Sequence, residues 1–156
     1  MRKLSLLVLL AGCGVHNYRY DFVINDLRAH NARKPGERSF LEDDMMKVEI
    51  LPDPTSFQAI LVDVTNKTTG QIAIGFDRLR IIDPEKNEVM LHPDATVPAI
   101  DPGVRQTVRL IPFQLPGSGP RAAAYEGTTF ELIIPMWIGG ALKEYHYPLI
   151  AHTRRL

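Results

Sequence analysis

Among side chains able to do chemistry, the histidines raise the first question. Five are present, and His146 and His152 share a strand-like segment at an even spacing, with Glu144 in the same register, so all three would point one way. Six residues at about 3.3 Å each put the two imidazoles about 20 Å apart, beyond the reach of one ion. His92, in LHPD, closes a different segment and has no second ligand near it in sequence. Met45, Met46, Met90 and Met136 are scattered and read as core filler rather than as copper ligands. No metal is expected.

Covalent and acid–base chemistry finds no better footing. Ser39, Ser56 and Ser118 have no nucleophile-elbow context. Ser118 lies in LPGSGPR, which has glycines but lacks the lysine and the strand-to-helix setting of a phosphate loop. The acidic run Glu42–Asp43–Asp44 could divide acid and base roles only if burial separated its pKa values, and a solvated turn is the simpler reading. The chain is therefore read as a non-enzyme, with no catalytic residue and no cofactor.

Two features suit binding. The long connection PFQLPGSGPRAAAYEG carries Phe113, Leu115 and Tyr125, apolar side chains that either meet a partner or fold back as a cap on the core. Arg78, Arg80, Arg105 and Arg109 fall on the solvent-facing side of their segments; gathered in one sheet they would form a modest basic patch for an anionic polymer or headgroup, and singly they would pair with acids. Trp137 and Tyr145 are expected to pair across a final hairpin.

The elements positioning these residues have a period of two. Met46, Val48 and Ile50 alternate with Lys47 and Glu49; Ile60, Val62 and Val64 follow; then Ile72, Ile74 and Phe76. Further strands are expected over 78–83, 88–92, 104–111, 129–138 and 142–151. The turn formers NKTTG, DPEKN, DPG and GG separate them. Seven or eight short strands without a long helical period predict an all-β fold, an antiparallel β-sandwich spanning residues 45–156. Pro148 predicts an edge strand, and Pro135 a bulge or an early end to pairing. Residues 13–44 are polar and broken, and read as a tether with a coil dimension of about 30 Å. Within it, Phe22, Ile24 and Leu27 could form a short helix or strand docked on the domain.

The beginning of the chain, MRKLSLLVLLAGCGVHNYRY, holds the single cysteine of 156 residues. Leu4, Leu6, Leu7, Val8, Leu9 and Leu10 would point all round a helix, so no amphipathic core helix is indicated. A basic start, a short apolar run and small residues form the layout of an export signal; a membrane span would need about 20 apolar residues. Without residues 1–12 the chain keeps 144 residues, and loss of Arg2 and Lys3 leaves 16 basic against 18 acidic side chains. This balance argues against nucleic-acid binding. With Cys13 used, no disulfide or thiolate site remains, and the fold must hold by burial alone.

Leu10–Ala11–Gly12–Cys13 resembles the bacterial lipobox, which implies cleavage between Gly12 and Cys13 and a lipid on the Cys13 sulfur. Several acyl chains, at about 0.8 kcal/mol per buried CH₂, would hold the protein on a membrane. Gly14 lacks the aspartate that in such proteins marks inner-membrane retention, so an outer membrane is favoured where the host has one. The segments VTNKTTGQIAIGFDRLRIIDPEKN, AIDPGVRQTVRLIP and TTFELIIPMWIGGALKEYHYPL resemble a family of uncharacterised bacterial envelope lipoproteins with an immunoglobulin-like domain. Phe76 stands where that family more often has tryptophan. The resemblance implies a cell-envelope protein of no established chemistry. The expected role is a membrane-anchored binding or structural module for an envelope protein or polymer. The alternative is a periplasmic inhibitor or chaperone-like protein acting on an envelope enzyme or client.

Overall fold

The computed structural model describes residues 18–30, 37–51, 53, 59–112 and 123–155. Gly12, Cys13, Phe113 and Leu115 lie outside them. The strands are β1 (Tyr18–Ile24), β2 (Ser39–Glu42), β3 (Met46–Leu51), β4 (Ile60–Asn66), β5 (Ile72–Ile74), β6 (Arg80–Ile82), β7 (Glu88–Pro93), β8 (Arg105–Pro112), β9 (Thr129–Ile138) and β10 (Ala141–Arg155). The protein is all-β, an antiparallel sheet of ten strands nearly closed into a barrel.

Strand order is β1-β10-β9-β6-β7-β8-β4-β3-β2, with β5 also paired to β9. Strand β7 joins the two halves: Glu88–Met90 pair with β6, and Leu91–Pro93 pair with β8. Alternate residues of each strand face the interior. Val48 and Ile50, Val62 and Val64, Leu132 and Ile134, and Leu149 and Ala151 are all buried there. Each large aliphatic side chain so removed from water contributes about 1.5–3 kcal/mol. An aromatic cluster closes one end. Phe22 and Tyr125 each meet Phe130 edge-on, at 5.3 and 5.4 Å between ring centroids, and Tyr20 stacks on Phe22 at 5.9 Å.

The tether expected over residues 13–44 is shortened by this arrangement. Tyr18–Ile24 form a full strand against β10, and Ser39–Glu42 pair with β3. Tyr20, Phe22 and Ile24 point into the core, while Asp21 and Val23, on the opposite face, are also buried. A strand covered on both sides loses the clean polar alternation that identifies a half-buried one.

Turn chemistry follows the sequence. In NKTTG, buried Asn66 donates through Nδ2 to the Gly70 and Ile100 carbonyls (2.7 and 2.8 Å) and accepts from Thr68 N at 2.8 Å. In DPEKN, Asp83 accepts from the backbone and the side chain of Asn87. Gly139 and Gly140, at φ of 58° and 80°, supply the two left-handed residues of a tight β9–β10 hairpin.

Both prolines sit where a ladder is interrupted. Pro135 lies between the β5 and β6 segments of β9, and its carbonyl accepts from Gly75 N at 2.7 Å. Pairing with β5 ends at Met136, as an early end of the ladder requires. Pro148 lies where β10 becomes an edge, one residue past the end of β1, and its carbonyl accepts from Asn25 N at 2.7 Å. In each case the missing N–H faces a gap. Ile72 is buried and Ile74 only half-buried, because β5 stops at Ile74 and a 3₁₀ turn follows over Phe76–Arg78.

Candidate functional site

The barrel's two terminal strands in the sheet order, β1 and β2, share no ladder. On one half of this seam Ile24 N donates to Ser39 Oγ at 2.9 Å, and His30 and Phe40 exchange backbone hydrogen bonds. The other half is bounded by β10, because β1 pairs only with Leu149–Arg155 of that fifteen-residue strand. Ala141–Pro148 pair with β9 alone.

The parity of this edge is fixed by Pro148, whose carbonyl points to the β1 side. Backbone groups alternate along an antiparallel strand, so Leu142, Glu144 and His146 also direct N–H and C=O away from β9 and into the seam. Among the described residues nothing pairs with them. A groove of about 240 Å³ lies there, lined by Arg28, Leu41, Glu42, Asp43, Met46 and Tyr145–Tyr147.

Two tyrosines floor the groove. Tyr145 donates to Met45 Sδ at 3.8 Å and Tyr147 to Met46 Sδ at 3.9 Å, weak contacts that span from β10 to the start of β3. Burial pushes both phenols above their usual range, Tyr147 further, so each stays a neutral donor. The β2–β3 turn opposite is rigidly built. Asp43 Oδ1 accepts from Met45 N and Met46 N, and Lys67 Nζ reaches Glu42 Oε1 (2.9 Å) and the Asp43 carbonyl (2.6 Å). The charges at the rim are mixed: His146 lies 2.9 Å from Glu131, and Glu144 takes Arg80 at 3.1 Å, a hydrogen bond that holds its carboxyl below the usual range.

The residues singled out in the sequence are dispersed. Arg80 is on β6, Arg105 and Arg109 are on β8, and Arg78 is exposed on the 3₁₀ turn. No basic patch results, because acids take up three of the four. Arg80 binds Glu144 and approaches Glu88; Arg105 binds Asp63 and Glu49; Arg109 binds Asp53 at 2.7 Å and Asp94 at 3.3 Å. Of the two readings of Tyr125, its placement matches the cap: it is buried against Tyr20 and Phe130, closing the core. Trp137 faces Leu142 across the hairpin and Tyr145 faces Ile134, an odd offset that puts the two aromatic rings on opposite faces of the sheet. His152 meets Glu126 at 3.1 Å, so each histidine of β10 has its own carboxylate.

Sequence reading missed the acids that meet these arginines. Glu49, Asp53 and Asp63 are all buried. Glu49 and Asp63 occupy polar positions in the alternation, which marks their face, but only the register shows that they stand opposite each other. A second cleft, about 420 Å³, lies between the β6–β7 turn and β9, lined by Asp83, Lys86, Thr129, Phe130, Glu131 and Pro148 among others. Its polar groups do not converge: Asp83 is engaged by Asn87, and Glu131 by His146. Comparison with protein-family models, curated proteins and solved structures finds no match.

Proposed function

We propose that the chain is a lipid-anchored protein of the bacterial cell envelope and a non-enzymatic binding module, which takes an extended segment of an envelope protein onto the open edge of β10. Cleavage after Gly12, lipidation of Cys13, the favoured outer-membrane location and kinship with immunoglobulin-like envelope lipoproteins belong to this reading. They are supported by the basic–apolar–small order of the first thirteen residues and by the turn and strand motifs described above. The two halves of the sheet, facing each other across one core and joined by β7, are compatible with a sandwich ancestry.

The observation that carries the binding role is the edge Ala141–Tyr147 of β10, with which no described residue pairs on the side away from β9. A row of free N–H and C=O groups beside a preformed groove recognises main chain, and alternate side-chain pockets add selectivity. A photo-crosslinking amino acid at position 142 or 146 should capture a discrete envelope protein in living cells, while the same group at position 109, on β8, should not. Equal capture from both places, or none, would remove the edge as the binding surface.

A further inference from the structure

We infer that the barrel stands upright on its membrane, with the Tyr18/Arg155 pole against the lipid headgroups and the Gly139–Gly140 hairpin pointing away. The inference rests on the lipid-anchor reading and adds an orientation to it. Tyr18 is already the first rung of the β1–β10 ladder, opposite Arg155. Only five residue steps separate it from Cys13. At 3.3–3.6 Å each they span at most about 18 Å, whatever their conformation. A lipid on Cys13 therefore holds this end of the barrel within about 18 Å of the bilayer surface.

Strand β10 then sets the height of everything else. Its fifteen residues cover about 46 Å of strand. Barrel strands tilt by about 40°, which leaves about 35 Å between the two poles. Charge agrees with this polarity. Arg154 and Arg155 occupy the first two rungs and both are exposed, the Arg154 guanidinium lying 3.7 Å from Asp21. Such a pair of exposed cations suits anionic headgroups at short range. The opposite pole carries the half-exposed Trp137. The open edge Ala141–Tyr147 consequently lies in the outer half of the barrel, clear of the lipid and accessible to a partner.

The chain holds one cysteine and one tryptophan, which makes the orientation measurable. Residues 13–156 keep every described residue, and their single thiol can be coupled to a maleimide lipid in vesicles containing dansyl-labelled phosphatidylethanolamine. Energy transfer from Trp137 to the membrane dansyl should be near background. Moving the tryptophan to the other pole, as W137F/R155W or the conservative W137F/Y18W, should raise it at least several-fold. Transfer from Trp137 as strong as from position 18 or 155, or background transfer from all three, would overturn the upright orientation. Failure of the anchor itself is a separate result: it would appear in cells as unlipidated protein, and leaves the vesicle measurement intact.

Discussion

Glu49 and Asp63 face each other rung for rung on β3 and β4, two buried carboxylates bridged by the single guanidinium of Arg105. Lys47 adds a contact to Glu49 at 3.2 Å, but Asp63 depends on Arg105 alone among the described residues, and its Oδ1 is buried without a hydrogen-bond partner. Like charges directly opposite in a ladder repel, so the arginine is what makes this rung tolerable. Arg105→Gln should lower the melting temperature by several degrees. Adding Glu49→Gln should recover part of that loss, because one of the two facing charges is then gone. Strictly additive losses in a double-mutant cycle would show that the rung is not coupled.

Phe22→Ala tests whether β1 is part of the folded unit. The ring is buried between Tyr20 and Phe130, and its removal should cost about 3–5 kcal/mol in urea unfolding. Leu27, 90% exposed, provides the control; Leu27→Ala should stay within about 0.5 kcal/mol of the parent. A chain starting at residue 39 should not fold.

Proline substitutions separate the open side of β10 from its paired side. The His146 N–H points into the seam, so His146→Pro should leave melting nearly unchanged while abolishing capture of the partner. Tyr145 pairs with Ile134 in the β9 ladder, and Tyr145→Pro should cost at least about 1–3 kcal/mol through the lost bond and its orphaned acceptor. Unchanged capture by the His146→Pro protein would exclude strand addition.

For the anchor, Cys13→Ala should leave an unlipidated precursor and shift the protein out of the membrane fraction, as read by fractionation and intact-mass spectrometry. An unchanged distribution would refute attachment through this sulfur.

Acid should destabilise the barrel. Burial pushes the Glu126 carboxyl up, but hydrogen bonds from Thr153 N, Thr153 Oγ1 and His152 outweigh it and bring it below the usual range; Glu144 is lowered by its hydrogen bond from Arg80. Carboxyls lowered on folding contribute stability above their unfolded pKa and lose it as pH falls through the folded value. Melting temperature should thus be flat near neutrality and decline below about pH 4.3, the unperturbed glutamate value. Glu126→Gln should lower stability at neutral pH and flatten the acid slope.

The sheet was largely legible from alternation alone, because a strand with one wet face writes a period of two. Met46–Ile50, Ile60–Val64 and Thr129–Ile138 are strands at nearly the expected limits. β1 escaped because Asp21 and Val23 are covered as well as Tyr20 and Phe22, which erases the alternation. The seam was legible only as a general preference for strand edges. Its location depends on where β1 stops beside β10, a long-range register that no local pattern encodes. The arginines show the same limit: their solvent-facing parity was readable, whereas Asp53, Asp63 and Glu144 reach them from distant strands.

The pairing of Tyr18 with Arg155 also governs how the chain must fold. The first of the ten strands has to wait for the tenth, and no shorter stretch of the sheet can complete the wall between them. Such high contact order makes folding slow and all-or-none in its final step. A truncation of even the last dozen residues would strip β1 of its partner and leave a long-lived, aggregation-prone intermediate rather than a slightly smaller barrel.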